Sequence, residues 1–529
     1  MAAILLINCN RLVSGVQYLG ISSISAFLKK AGHDVVFFDT AEYTSNKDAE
    51  SCNCFKDNKS RINLEFKHIK NMEAMPLKRP IELLLIDLKK EILNHRIDVV
   101  GFSSFSDDWP FTLFLIRKIR SLLSNVPIIV GGIHATVAPE QVIKHPEVDM
   151  VCLGEGEEPI VELLNCIDDG HIKLSIKNLW LKHNGKIYRN QMRYLLQFTS
   201  DFPIPDWSLY NDIHFYYPFE GELFRRGSIS IGRGCPHYCN FCINNFLRHI
   251  YAKEKNLMRF KPIDYFIREI SYLKNKYRLE FIRFWDESFL TLPKRYFSEL
   301  ARVYKKEIRL PFTIETTAQT LNHENARLLA EMGCLSVSIG VETSNETLRS
   351  KILNKPIPNE VYERCFKIAT EYGLRKVANF MFFLPHQTIA DMWRDVYLCR
   401  KWKINHASAR FFYPYVGTSL RDYCVKNDLL NLNILRRIED EESIRQIDDL
   451  NNAFVTFQGT VLKANLKDKQ EARMILDNFV LFQEAPLSRH KELKRMLLNE
   501  NNSSAGMILR QMERKIYKKR FKEGPIAVC

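Results

Sequence analysis

Short apolar runs alternate with helix-period stretches over the first third of the chain. Residues 3–7, 34–38, 98–102, 126–130 and 149–153 are short, mostly apolar runs that read as buried strands. Between them, residues 20–30, 81–94 and 110–123 repeat apolar side chains every three to four positions and read as helices. Strands with no polar face, alternating with helices, predict a parallel sheet covered on both sides: a doubly wound, Rossmann-like α/β unit. A polar insertion at 42–80 interrupts this pattern and fits no element.

Residues 168–226 carry only small pieces of structure, and 202–207 is a proline-punctuated extended stretch. Alternation then resumes. Strands are expected at 228–231, 281–285, 312–316, 335–341, 376–383 and 407–412, with helices near 262–277, 293–306, 322–332, 358–372 and 388–402. Repeated βα units of this kind predict a parallel barrel, here a partial (β/α)6 barrel of the TIM type. The expected division is an N-terminal α/β domain at 1–167, a linker region at 168–226, the barrel at 227–425, and a helical, basic C-terminal region at 426–529.

Composition narrows the class. The chain has 529 residues, 46% hydrophobic and 26% charged, which excludes a disordered chain, a collagen-like fibre and a small disulfide scaffold. No run reaches the roughly 18–20 apolar residues that span a bilayer. The first residues lack the basic n-region and long apolar core of a secretory signal, so a cytoplasmic location and reduced thiols are expected. Lys and Arg number 76 against 62 Asp and Glu, a formal charge of +14 with some concentration at 510–522. This reads first as a basic soluble protein. Nucleic acid, an anionic surface or an acidic substrate are the other sources of such a balance.

Two sets of residues carry candidate chemistry. In a doubly wound sheet the ligand lies outside the carboxyl ends of the strands. Ser103, Ser104, Gly131, Gly132, His134, Gly154, Glu155 and Gly156 fall there, and glycine lets the backbone approach a ligand closely. The alternative is that these are turn glycines only. The second set follows the first barrel strand: Cys235, Cys239 and Cys242, with three and then two residues between them. Three thiolates on one short loop hold three corners of a cubane cluster and leave one iron open to chelate a ligand, whereas four would close it. Tetrahedral zinc is the competing metal, with His237 or His249 as a fourth ligand. The other ten of the 13 cysteines are dispersed and read as core residues.

With the aromatic Phe241 before its last cysteine, this motif resembles the signature of the radical S-adenosylmethionine (SAM) superfamily. Residues 26–39, 130–140 and 154–158 resemble the cobalamin-binding (B12) domain that precedes the barrel in one large branch. The resemblance covers roughly residues 1–425. It is nearest the group holding cobalamin-dependent radical SAM methyltransferases and the anaerobic Mg-protoporphyrin ester cyclase. It implies a [4Fe-4S] cluster on Cys235, Cys239 and Cys242. It further implies SAM contacts at Phe241, Asp286, Glu287 and Glu342, and cobalamin against the strand-end residues named above. Glu342 follows Ile339, Gly340 and Val341 at the end of the fourth strand, which matches the family segment near the SAM ribose. In place of the Asp-x-His-x-x-Gly turn of classical cobalamin domains, residues 8–15 hold no histidine, so cobalamin is expected without a protein imidazole on cobalt. His386 and Gln387 depart from the family's fifth-strand turn and are candidates to face substrate.

The implied activity is reductive cleavage of SAM, hydrogen abstraction from an unactivated position and cobalamin-dependent methyl transfer. The implied partners are a small-molecule or peptide substrate and a one-electron donor such as flavodoxin or ferredoxin, with neither membrane nor nucleic acid. Radical cyclisation or rearrangement uses the same motifs. A tRNA methylthiotransferase needs a second cluster, for which Cys9, Cys52 and Cys54 are present, but the glycine loops belong to the cobalamin pattern. A non-enzymatic cluster or cobalamin sensor is the remaining class.

Overall fold

The computed structural model describes residues 1–9, 16–44, 76–219, 222–252, 257–447, 449 and 460–498. Most of the 42–80 insertion, the turn after Cys9 and the basic stretch at 510–522 lie outside the described residues.

Two seven-stranded sheets organise the chain. The first contains β1 (Ala3–Asn8), β2 (Asp34–Asp39), β3 (Val99–Ser103), β4 (Ile128–Gly131), β5 (Met150–Cys152), β6 (Leu179–His183) and β7 (Lys186–Arg189). Its order is β2-β1-β3-β4-β5-β6-β7, parallel through β5 and antiparallel thereafter. Helices Leu19–Lys30 and Glu157–Asp168 cover one face, while Leu84–Asn94 and Trp109–Leu122 cover the other. Apolar side chains therefore leave both faces of every central strand, as the runs predicted. The order reverses between β1 and β3, and a crevice opens there at the carboxyl ends.

Residues 168–226, expected to link, contribute to both sheets. β6 and β7 extend the first, and β8 (Tyr216–Phe219) begins the second. The second sheet continues with β9 (Glu222–Ile229), β10 (Phe281–Phe284), β11 (Phe312–Thr316), β12 (Cys334–Glu342), β13 (Arg375–Phe382) and β14 (His406–Phe411). β8 pairs antiparallel with β9, and the other neighbours are parallel. Among the described residues no pairing joins β14 to β8 at the other edge, so the barrel is partial. The C-terminal helices Leu466–Asp477 and Phe479–Glu484 pack on helix Ile389–Lys401 and add Ile475, Phe479 and Phe482 to the barrel's own core. No helix among the described residues is long and apolar enough to cross a membrane.

Candidate functional site

The loop that follows β9 is held from several sides. The Asp286 carboxylate, one position past Trp285 at the end of β10, accepts from Ile231 N at 3.0 Å and Gly232 N at 2.8 Å. Gly232–Arg233 pairs antiparallel with Arg259–Phe260. Gly234 turns the chain with φ +96°, and a Cβ there would meet Leu257 O at 2.3 Å, so only glycine fits. Beyond it stand Cys235, Cys239 and Cys242, all half-buried and all free thiols. Arg248 Nη2 donates to Cys235 O at 2.5 Å and its guanidinium covers the Tyr238 ring at 4.2 Å. Asn240 Nδ2 donates to Ile352 O, and Asn354 Nδ2 to Tyr238 O, which ties the loop to the turn after the short helix Glu346–Lys351 that follows β12.

Burial raises all three thiols, Cys239 to about 12, and the neighbouring Lys355 opposes it there. Iron ligation displaces such protons. Among the described residues no three His, Cys, Asp or Glu side chains converge closely enough to hold a single metal ion. Three thiolates on one short loop can each take a different iron of a cubane and leave the fourth open. The donor set fits a cluster.

The carboxylates named from sequence occupy three different settings. Asp286 is buried and turned into the backbone of the loop, and burial pushes its carboxyl up to about 7. It braces the loop through Ile231 and Gly232. Glu287 is exposed to the cavity that it lines, and its depth between the domains raises its carboxyl. Glu342 sits at φ +66° where the β12–β13 register slips. It forms a buried ion pair with Lys355 at 2.8 Å, and Lys355 also donates to Gly340 O. Sequence reasoning missed Lys355, which follows the motif by more than a turn and is brought in only by folding. Phe241 packs against the apolar cluster that contains Leu353, Leu384 and Phe412. His386 is bonded to Tyr423 at 2.9 Å, and Gln387 accepts from Leu384 N and donates to Thr343 Oγ1.

Between the two sheets lies a cavity of about 410 Å³ that opens to solvent. That lies within the roughly 300–1,000 Å³ of a ligand pocket. From the first domain Ser103, Gly131, Gly132, Gly154, Glu155 and Gly156 line it, with apolar walls such as Leu6, Ile129 and Ile160. From the barrel come Gly232 to Cys235, Trp285 and Glu287. One space thus touches the strand ends of the first sheet and the cysteine loop of the second. A Cβ on Gly131 would meet nothing nearer than 3.7 Å, which leaves its backbone open to the void. The apolar walls and the open backbone at Gly131 suit the face of a bound cofactor.

Three of the strand-end residues are otherwise engaged. Ser104 is buried against Thr112 at 2.9 Å. His134 packs on Trp109 with its ring 4.9 Å away, Nδ1 lies 3.2 Å from Ser106 Oγ, and burial lowers it to about 4. Neither lines the cavity, and no histidine does among the described residues. Glu155 lines it but is bound by Arg259 at 2.6 and 2.9 Å and by Arg233 at 3.0 Å. Burial works to raise its carboxyl, and the two guanidiniums overcome that and hold it low. Glu157 pairs with the same Arg233 at 2.5 Å. These pairs bolt the first domain to the barrel across the mouth of the cavity.

Comparison with known proteins matches the radical SAM superfamily over residues 229–398 and the B12 binding domain over 76–164. An uncharacterized methyltransferase of Pyrococcus horikoshii is 27% identical over 351 residues, 66% of this chain and 74% of its own length. The anaerobic magnesium-protoporphyrin IX monomethyl ester cyclase of Rubrivivax gelatinosus is 22% identical over 63% of this chain and 59% of its own. Among solved structures, the radical SAM methyltransferase TsrM of Kitasatospora setae, with cobalamin and a [4Fe-4S] cluster bound, aligns over 99% of this chain and all of that one. The TM-score is 0.62 at 15% identity, a shared fold. The matches place the radical SAM domain on the cysteine loop and its barrel, and the B12-binding domain on the sheet that faces it across the cavity. The chain carries a B12-binding domain followed by a radical SAM domain.

Proposed function

We propose that this enzyme is a cobalamin-dependent radical SAM methyltransferase acting on a small molecule. The observation that carries the reading is the shared cavity, lined at once by the strand ends of the B12-binding domain and by the cysteine loop of the radical SAM domain. Cys235, Cys239 and Cys242 hold the cluster. Glu287 and Glu342 hold the amino-acid and ribose ends of SAM, with Asp286 fixing the loop beneath. Ser103, Gly131, Gly132, Gly154 and Gly156 form the backbone wall for cobalamin. When bound, the cluster and SAM supply hydrogen-abstracting radical chemistry, and cobalamin supplies a transferable methyl group. The chain's part is orientation and exclusion. Apolar walls keep water from the reacting centre, and the Arg233 and Arg259 clamps keep the two domains at one spacing. The methyltransferase named among its relatives and the cobalamin-loaded structural neighbour support this reading.

The test is anaerobic incubation with reductant and methyl-labelled SAM. Wild type is expected to release 5′-deoxyadenosine and to place label in the product. Replacing Cys235, Cys239 and Cys242 by Ala is expected to remove iron and end cleavage. Cleavage surviving that change would overturn the cluster assignment, and an unlabelled product would replace methylation with cyclisation or rearrangement.

A further inference from the structure

Lysine is almost never buried without a partner. Lys355 is 8% exposed, and its ammonium donates to Glu342 Oε1 at 2.8 Å and to Gly340 O at 2.6 Å. Gly340 makes room for the pair: a Cβ there would run into Glu342 Oε1 and stand 3.0 Å from Lys355 Nζ. The turn that closes helix Glu346–Lys351 sets the backbone, with Lys355 N donating to Arg349 O at 2.9 Å.

The residues just before Lys355 are fastened to the cysteine loop. Asn354 Nδ2 donates to Tyr238 O at 2.8 Å, Asn240 N to Leu353 O at 3.0 Å, and Asn240 Nδ2 to Ile352 O at 2.9 Å. Tyr238 and Asn240 flank Cys239, so the three bonds bracket one cysteine of the motif and bring the lysine up to it. The electrostatics agree with this placement. Burial raises the Cys239 thiol, the Lys355 charge works against burial, and Glu342 works with it. At Cys242 burial and the Glu342 and Glu287 carboxylates all push the thiol up. Arg248 acts on Cys235 in the same sense as Lys355 on Cys239, but it is partly exposed, where water weakens the effect.

We infer that Lys355 tunes the reduction potential of the cluster: its buried positive charge beside Cys239 makes the cluster easier to reduce, and Glu342 holds that charge in place while partly offsetting it. Reduction adds one electron to a group already ligated by three thiolates. Net charge around the cluster is one of the levers on its potential. A buried cation next to a ligand favours the added electron, and a buried anion opposes it. Lys355 is thus a positioning residue for Glu342 and a tuning residue for the cluster. The inference rests on the reading of Cys235, Cys239 and Cys242 as the cluster ligands.

The test is a redox titration, followed by electron paramagnetic resonance, of the anaerobically isolated full-length protein with its iron loaded and no SAM added. Wild type is compared with Lys355→Gln, Glu342→Gln and the double variant. A unit charge gained or lost within roughly 12 Å, at an effective dielectric constant of about 20, changes a one-electron equilibrium about tenfold. Lys355→Gln leaves the carboxylate alone and is expected to make the cluster about tenfold harder to reduce, a potential lower by about 59 mV. Glu342→Gln leaves the ammonium alone and is expected to shift the potential upward by a similar factor. The double variant removes both charges and is expected to fall between the two. Opposite signs mark a charge effect, whereas a packing defect moves both single variants the same way. Iron per chain reports whether each variant keeps its cluster, and where Lys355→Gln loses it, the rise in Glu342→Gln and its reversal in the double variant decide the matter. Unchanged potentials, or shifts of one sign, would overturn the inference. A wild type that binds no iron would instead overturn the cluster assignment, and this inference with it.

Discussion

Glu342 and Lys355 form a buried charge pair at a backbone position that side chains rarely adopt. Glu342→Ala leaves Lys355 buried beside only a carbonyl. It is expected to lower stability by about 3 kcal/mol in chemical unfolding. It is also expected to weaken SAM binding by equilibrium dialysis while iron content holds; unchanged SAM binding removes Glu342 from the site. Gly234→Ala drives a Cβ into Leu257 O at positive φ, and a loss of about 2 kcal/mol with lowered iron per chain is expected. Wild-type iron retention in that variant contradicts the loop geometry. Asp286 supplies a pH test. Burial raises its folded-state pKa to about 7 from an ordinary value near 3.8. The protonated form is therefore the one that the fold favours. Its stabilising contribution is full below about pH 4 and is lost as pH rises through 7, at up to about 1.4 kcal/mol per pH unit. Asp286→Asn keeps an acceptor for Ile231 and Gly232 and removes the charge. Urea midpoints from pH 4 to 7.5 are expected to fall for wild type and to flatten for the variant.

The strands and their helices were legible because burial on both faces leaves unbroken apolar runs and the helices keep a 3.6-residue period. Phe312–Thr316 falls where expected, and the ends of β12 and β13 shift by a residue. The cysteine loop was legible because its ligands are close in sequence. The antiparallel pair Leu179–His183 and Lys186–Arg189 was not, because half-exposed strands of four or five residues mix polar and apolar side chains without a strong period. Asp286 was visible as a strand-end carboxylate, but its aim into the loop backbone is a tertiary fact. Lys355 and Arg259 were hidden for the same reason. Each acts through a partner that folding brings close, Glu342 and Glu155, from 13 and 104 positions away.

At the scale of the whole molecule, polar clamps on two sides hold the B12-binding domain against the barrel. On one side Arg233 and Arg259 meet Glu155 and Glu157. On the other, Glu441 from the C-terminal region accepts from Trp109 Nε1 at 2.9 Å and Gln141 Nε2 at 2.8 Å, with Lys144 Nζ at 2.8 Å. Burial pushes that carboxyl up, yet these partners bring it down to about 2. The charged C-terminal segment therefore acts as a strap between the domains. Arg259→Met strips Glu155 of its bidentate partner in a buried setting. It is expected to cost about 2–3 kcal/mol and to speed proteolysis in residues 190–206. An unchanged cleavage pattern would remove the clamp from the account.

The central claim is that one cavity serves both domains. It is tested most directly by counting cobalamin and iron in protein isolated without oxygen from cells supplied with the vitamin. About one cobalamin and four irons per chain is the predicted result. A full complement of iron with no cobalamin would contradict the claim and leave the first domain a scaffold for the barrel.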